Sequence, residues 1–284
     1  MSYKPKLKKL NHIDNEPYRM TCIIGGKCNG GVVLVADRKI RDKEMGTVTF
    51  EEKLISKYFP IVFGASGSNI LFKKFLPQSL YLLQPKTDNN NIFKQKTFPV
   101  SVSGEVHIYP PDSKPVIVNK DNSVNFFPYI KQLENIVKSF NTEYPRLEIE
   151  ILIGLKTSNN NSLLVFIDKN GTSEDIHTYR IIGSGTSKAS SWIHPLYRKD
   201  ISMEEFAKLG YFVIKYLDKF NLDDGVGLNG LKPQIWFIPN INDSFQLEDV
   251  PSLRDKFELE TNKMLDNFEK YGIEKLLDRK WDDG

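Results

Sequence analysis

The chain has 284 residues, and its 40% apolar and 12% aromatic content is sufficient for a full hydrophobic core, which excludes disorder throughout. Its 39 basic and 36 acidic residues give a net charge of +3, and no arginine-rich stripe is present, so nucleic acid is not an expected partner. The first thirty residues contain no secretory hydrophobic stretch, and no apolar run approaches the roughly eighteen residues of a membrane span. We therefore expect a cytoplasmic protein without a membrane partner.

The N-terminal part of the sequence predicts a short arm followed by strands. Residues 1–20 are basic and polar, which indicates an N-terminal arm or a pro-segment. Strands are predicted at 21–25, 32–36, 53–57 and 61–65. Asn29-Gly30 is a strong hairpin signal between the first two strands. Gly67 follows the fourth strand and lies at a predicted strand-to-helix turn.

The rest of the chain predicts helices and strands in separate runs. Helices are predicted over 68–83, 124–144, 187–197 and 202–220, and strands over 147–155, 163–168, 175–182 and 234–238. Residues 84–122 read as an irregular insertion into a domain that spans 21–245. A charged helical tail is predicted within 246–284, either docked or solvated. Segregated runs of this kind favour an α+β architecture over a doubly wound sheet.

Thr21, Asp37 and Lys53 lie on successive short strands and could together make a nucleophile. A threonine hydroxyl is a poor nucleophile near neutral pH and needs a base. If the chain is cut between Met20 and Thr21, the new α-amine, with a reference pKa of about 7.7–8.0, supplies that base. A lysine ammonium near the hydroxyl favours proton loss, and a carboxylate orients both groups. Lys53 and Asp37 are the candidates for these parts.

Two glycine-containing turns are candidates for the remaining functions. A backbone N–H at Gly67, just before a helix, would stabilise an oxyanion, because close approach and the helix dipole combine there. Ser184, between Gly183 and Gly185, would hold the α-amine and a water molecule by hydrogen bonds. The same glycine-flanked serine also fits an ordinary turn at the end of a strand.

Several short runs in register carry a resemblance to a known family. They are Thr21-Cys22-Ile23-Ile24-Gly25, the run 31–39 that contains Asp37 and Lys39, Lys53-Leu54-Ile55, Gly64-Ala65-Ser66-Gly67 and Ile182-Gly183-Ser184-Gly185. Asp37, Lys53 and Gly67 follow Thr21 by sixteen, thirty-two and forty-six residues. This pattern resembles the proteasome β subunits of the N-terminal-nucleophile hydrolases, over about 21–83 and 124–240.

The resemblance implies a four-layer αββα sandwich in which helices flank two antiparallel sheets. It also implies a threonine peptidase that cleaves unfolded polypeptides in stacked rings of like or related subunits, with an unfoldase cap as a further partner and without a cofactor or metal. By position, Thr21 would be nucleophile and base, with Asp37, Lys53, Gly67 and Ser184 in the roles above. The site aspartate near the end of the penultimate helix falls on Asp223 or Asp224. Lys39 would support the site where the family often has arginine.

Some features depart from the family or leave alternatives open. Met20 stands where self-processing members usually have glycine, and the 84–122 connection is longer than usual. A non-catalytic structural subunit and an amidase acting on a small amide remain alternatives. Cys22 would be the nucleophile if the cut fell one residue later, and Asp37–Lys53 alone would be an ordinary salt bridge. The four histidines, His12, His107, His177 and His194, are scattered and predict no metal site.

Overall fold

The computed structural model describes residues 21–42, 47–56, 61–83, 126–157, 159–241 and 243–271. The predicted arm at 1–20 and the predicted insertion at 84–122 lie outside these ranges. Within them the chain forms an α+β fold of antiparallel sheets and five α-helices. None of the helices in these ranges is both long and apolar enough to cross a membrane.

The strands and helices alternate in runs along the chain. The strands are β1 (Ile23–Cys28), β2 (Gly31–Ala36), β3 (Lys39–Asp42), β4 (Thr47–Phe50), β5 (Leu54–Ile55), β6 (Ile61–Gly67), β7 (Ile149–Lys156), β8 (Ser162–Ile167), β9 (Ser173–Asp175), β10 (Tyr179–Ile182), β11 (Gln234–Pro239) and β12 (Phe245–Gln246). The helices are α1 (Asn69–Tyr81), α2 (Phe126–Glu143), α3 (Thr186–Leu196), α4 (Met203–Lys219) and α5 (Pro251–Tyr271), with a 3-10 turn at Leu247–Asp249.

Two five-stranded sheets and one small hairpin make up the β structure. The first sheet has the order β10-β1-β2-β11-β12, the second has the order β5-β6-β7-β8-β9, and β3 pairs with β4. Every paired neighbour runs antiparallel. The predicted hairpin is confirmed with a tighter turn, because β1 continues through Cys28 and only Asn29 and Gly30 remain between the strands, with Gly30 at φ 93°.

Three apolar clusters pack against these sheets. Side chains of both sheets, including Ile23, Leu34, Leu152 and Leu164, form the cluster between them. The two sheets approach each other so closely there that a Cβ on Gly25 of the first sheet would come within 2.7 Å of Leu152 Cδ2 of the second. A second cluster joins the first sheet to α3, α4 and α5, and a third joins the second sheet to α1 and α2. The sheet pair is therefore buried on its facing and its outer surfaces.

The predicted strand over 175–182 is wrong as a single element. Ser173–Asp175 pairs with β8 in the second sheet, whereas Tyr179–Ile182 pairs with β1 in the first. The chain passes from one sheet to the other between them, since Ile176 N–H donates to the Leu164 carbonyl and Thr178 carbonyl accepts from Lys27 N–H. Sequence patterning gave no sign of β3, β4 or β12 either, because very short strands carry little periodicity.

The sequence left open whether the charged C-terminal tail is docked or solvated, and helix α5 lies in that tail. Phe257 and Leu265 of α5 are buried in the cluster formed with α4, and Phe268 packs against it. The charged face is occupied by ion pairs such as that of Lys208 with Glu260 at 2.6 Å. The helix is therefore docked over the described residues Pro251–Tyr271.

The docking of α5 can be measured with two substitutions in that helix. Phe257→Ala should lower the free energy of unfolding by about 3–5 kcal/mol, because it removes a fully buried ring. Leu259→Ala, at a side chain that is 57% exposed, should change it by no more than about 0.5 kcal/mol. Urea unfolding monitored by circular dichroism checks both, and equal effects would contradict a docked helix.

Candidate functional site

Thr21, Asp37 and Lys53 meet at one end of the two facing sheets. Thr21 precedes β1 and Asp37 follows β2, and the register that pairs Ile23 with Ala36 brings the two together. The Asp37 N–H donates to the Cys22 carbonyl at 3.2 Å, which closes this end of the hairpin. Lys53 comes from the other sheet, directly before β5. The structure thus brings these three side chains together.

The three side chains form a closed triangle. Lys53 Nζ donates to Thr21 Oγ1 at 2.6 Å and to Asp37 Oδ1 at 2.6 Å, and Thr21 Oγ1 donates to Asp37 Oδ1 at 3.0 Å. Each of the three residues is 5% exposed or less. Charge-assisted bonds of this length in a water-poor setting are strong, so the hydroxyl is held against an ammonium.

The Asp37 carboxylate is saturated with donors. Besides the two side chains, Oδ1 accepts from Cys22 N–H at 2.9 Å, and Oδ2 accepts from Lys39 N–H at 3.1 Å and Gly227 N–H at 3.2 Å. An ionised carboxylate offers about four lone-pair sites, so it has little capacity left. Its orientation is therefore fixed by backbone from several separate segments.

Gln234 is a residue of this site that the sequence reasoning missed. Its side-chain oxygen accepts from Lys53 N–H at 3.0 Å and Leu54 N–H at 2.8 Å, and its amide nitrogen donates to the Leu54 carbonyl at 2.7 Å. Gln234 begins β11 and is fully buried, so it links the first sheet to the segment that carries Lys53. The available signal was one amide at the head of an otherwise apolar strand.

Burial shifts the pKa values of the neighbouring ionisable groups. Burial lowers the pKa of the Lys53 ammonium, and the Asp37 carboxylate opposes that change. The result favours proton release from Lys53 relative to an ordinary lysine. Burial, assisted by Asp37, raises the pKa of the Cys22 thiol well above its usual range. Such a thiol is inert, which disfavours Cys22 as the nucleophile.

The Gly183–Gly185 turn contacts Thr21 from the other side. Gly183 has φ 102°, and a Cβ there would overlap the Thr21 carbonyl oxygen. Gly185 N–H donates to that same carbonyl at 3.3 Å. Ser184 Oγ donates to Asp223 Oδ1 at 2.8 Å, and this oxygen also accepts from Gly225 N–H at 2.8 Å. Of the two candidate aspartates, Asp223 is thus the one that pairs with Ser184.

Asp224, Gly67 and Lys39 occupy less central positions. Asp224 is exposed to solvent. Gly67 ends β6 directly before Ser68, the N-cap of α1, and at φ 102° a Cβ would overlap the Glu148 carbonyl, so the predicted turn is confirmed. Lys39 is half-buried at the start of β3 and contributes its backbone N–H to Asp37. The catalytic roles of all these residues remain predictions.

An open cleft of about 710 Å³ adjoins the turn before Ser184. Its lining includes Gly183 and Ile182 from the end of β10, together with Thr186 and Ser190 of α3. Tyr179 OH lies 3.0 Å from His194 Nδ1 along its wall. Within the described ranges, no three histidine, cysteine, aspartate or glutamate side chains gather in a way that could hold a metal ion.

Comparison with known proteins adds a likeness of fold. No protein-family model matches the chain, and no curated protein matches it. Solved structures do. The fold is similar to that of Anbu. Anbu (ancestral beta-subunit) from Yersinia bercovieri superimposes with a TM-score of 0.60 at 12% identity, covering 88% of this chain and 97% of that chain. The Anbu (Gly-1) mutant from Hyphomicrobium sp. strain MC1 gives 0.59 at 13% identity with the same coverage.

These findings correct the family resemblance drawn from the sequence. The sequence pattern predicts a proteasome β subunit. That prediction is wrong, because the matching structures are Anbu at 12–13% identity and no family model matches. The physical reason is that hairpin geometry sets the spacing of Thr21, Asp37 and Lys53. Chains that share these hairpins share the spacing without sharing a family. What holds is a fold similar to that of Anbu.

Breaking the buried triangle of Thr21, Asp37 and Lys53 should lower the free energy of unfolding. Asp37→Asn replaces an ionised acceptor by an amide whose NH₂ faces donors, so the free energy of unfolding should fall by about 3–5 kcal/mol. Asp224→Asn changes an exposed carboxylate in the loop that contains Gly227. It should shift the free energy of unfolding by at most about 0.5 kcal/mol. Chemical denaturation of both variants at pH 7 checks this. An Asp37→Asn protein as stable as the parent would refute the argument.

Proposed function

We propose that this chain is a threonine-type hydrolase that cleaves peptide bonds, with Thr21 as the nucleophile after residues 1–20 are removed. The observation that carries the proposal is the 2.6 Å bond from Lys53 Nζ to Thr21 Oγ1, braced by buried Asp37. A hydroxyl oxygen that accepts a hydrogen bond from a lysine ammonium is suited to losing its proton, because the positive charge stabilises the resulting alkoxide. We also interpret the two sheets and their flanking helices as a four-layer αββα arrangement.

The proposed reaction uses groups of the chain itself. Once Thr21 is N-terminal, its neutral α-amine takes the hydroxyl proton, and Oγ1 attacks the substrate carbonyl carbon. The Gly67 N–H stabilises the resulting oxyanion at the start of α1. When this tetrahedral intermediate collapses, the C–N bond of the substrate breaks and the leaving amine takes the proton that the α-amine accepted. An acyl ester remains on Thr21. Water then hydrolyses the ester, with the α-amine again as base and Ser184 with Asp223 holding the water.

Unfolded polypeptide is the proposed substrate. We further propose that like or related subunits assemble in rings around the site and that an unfoldase delivers the polypeptide. The proteasome-related fold supports this extension.

A non-catalytic subunit is the second candidate, and one observation favours it. Met20 precedes Thr21, and it lacks the backbone freedom that glycine offers to the strained geometry of self-cleavage. If the bond between them is never broken, Thr21 has no α-amine to act as the base.

The proposal is tested with a chain that begins at Thr21, released from an N-terminal fusion, beside the full chain. We expect only the shortened chain to gain the mass of a threonine-directed electrophile, at Thr21, and to hydrolyse fluorogenic peptides. Absence of both in the shortened, folded chain would sink the peptidase proposal and favour the structural subunit. Turnover of a small amide without peptide turnover would favour the amidase.

Lys53→Ala in the shortened chain should lower peptide hydrolysis by about 10²–10⁴-fold, because the hydroxyl loses its adjacent ammonium. Lys263→Ala removes an exposed lysine on α5 and should leave the rate unchanged. Initial rates on one fluorogenic peptide, with the folded fraction matched by circular dichroism, provide the measurement. Full activity of the Lys53→Ala protein would refute the role of Lys53.

A further inference from the structure

Arg38 directly follows Asp37 and connects the candidate site to the C-terminal part of the chain. Its guanidinium donates from Nη2 to Glu248 Oε1 at 2.9 Å and from Nε to the Lys232 carbonyl at 3.1 Å. The Arg38 side chain is only 14% exposed and that of Glu248 30%. Glu52 also approaches Arg38, but at 3.8 Å and with 63% of its side chain exposed. Glu248 is therefore the dominant carboxylate partner.

The Arg38 backbone forms hydrogen bonds with the segment that contains Gly227 and with the segment that leads to Lys53. Its N–H donates to the Gly227 carbonyl at 3.1 Å, while Gly227 N–H donates to Asp37 Oδ2 at 3.2 Å. The Arg38 carbonyl accepts from Glu51 N–H at 2.9 Å, two residues before Lys53. A displacement of Arg38 would therefore move the Asp37 carboxylate, one of its donors and the segment that carries Lys53.

Glu248, the other member of this ion pair, is held in place by the packing of its own segment. Glu248 lies in the 3-10 turn whose Leu247 is buried, and the turn leads into docked α5. Lys232, whose carbonyl accepts from Arg38, forms an ion pair with Glu258 of α5. Burial raises the pKa of Glu248, and a backbone hydrogen bond and the Arg38 guanidinium oppose that change. Oε2 of Glu248 has no hydrogen-bond partner within the described residues, so Arg38, which bonds Oε1, is the charged group that offsets this carboxylate.

We propose that Arg38 and Glu248 form a positioning pair, through which the segment that contains the 3-10 turn and α5 holds the Asp37 carboxylate and Lys53 in register with Thr21. The kinetic consequence rests on the proposed function, whereas the structural consequence does not. Neither residue touches the reacting atoms. Their effect runs through the Asp37 side chain and its backbone donors.

The structural test measures amide hydrogen exchange by NMR in Glu248→Gln and in the matched control Glu52→Gln, which alters the weaker carboxylate on the same arginine. We expect the Lys39 and Gly227 amides, which donate to Asp37, to exchange at least tenfold faster in Glu248→Gln and at the parental rate in Glu52→Gln. Amides of α2, on the far sheet, should keep parental rates in both. Equal exchange at Lys39 and Gly227 in the two variants would overturn the proposal.

The kinetic test uses the chain that begins at Thr21 and the same threonine-directed electrophile. Glu248→Gln should lower the maximal rate of acylation about tenfold with little change in the half-saturating concentration, because alignment rather than binding is lost. Arg38→Gln should match it, and the double variant should be no slower than either single one. Additive losses in the double variant would overturn the pair. An unreactive parent would refute the proposed function, and the exchange result would still decide the positioning role.

A variant that fails to fold has a defined substitute. If Glu248→Gln does not fold, Glu248→Asp, which keeps the charge, is compared with Glu248→Ala, and the Lys39 and Gly227 amides should exchange more slowly in Glu248→Asp. If Glu248→Asp folds and exchanges as fast as a Glu248→Ala protein, the charge is irrelevant and the proposal fails.

Discussion

The buried carboxylate of Asp37 is the constraint on which the rest of the site depends. An ionised group shielded from water is costly unless donors surround it, and here they come from Thr21, Cys22, Lys39, Lys53 and Gly227. Thr21 and Cys22 precede β1, Lys39 begins β3, Lys53 precedes β5 and Gly227 lies between α4 and β11. Satisfying one charge therefore requires the ends of both sheets to meet, and the site is a product of the packing around that charge.

The apolar layer between the sheets and the polar site at its end support each other. Side chains such as Leu34 and Leu152 fill the space between the sheets, and Gly25 and Gly64 let the facing side chains approach closely. Gln234 then bridges from the first sheet to the Lys53 segment with three hydrogen bonds of its own. A shift of one sheet along the other would break these bonds and leave buried polar groups unpaired, so these bonds specify how the two sheets align.

Sequence reasoning succeeded where local chemistry repeats a strong signal. The Asn29-Gly30 turn predicted the first hairpin, and apolar periodicity predicted helices at the positions of α1, α2 and α4, without help from the rest of the chain. It failed at the crossing between β9 and β10, where a continuous pattern concealed a change of sheet. The family assignment failed for a related reason, because hairpin spacing belongs to the fold and does not identify the family.

The amino-acid sequence by itself determined the α+β class, most of the longer elements and the candidate trio of Thr21, Asp37 and Lys53, since turn signals and periodicity are local properties. Only the tertiary structure decided that Asp223 rather than Asp224 pairs with Ser184 and that α5 is docked. Only it placed Gln234 beside the site and paired Arg38 with Glu248. These outcomes depend on contacts between residues up to about two hundred positions apart, and such contacts are set by how sheets and helices pack, which no local pattern records.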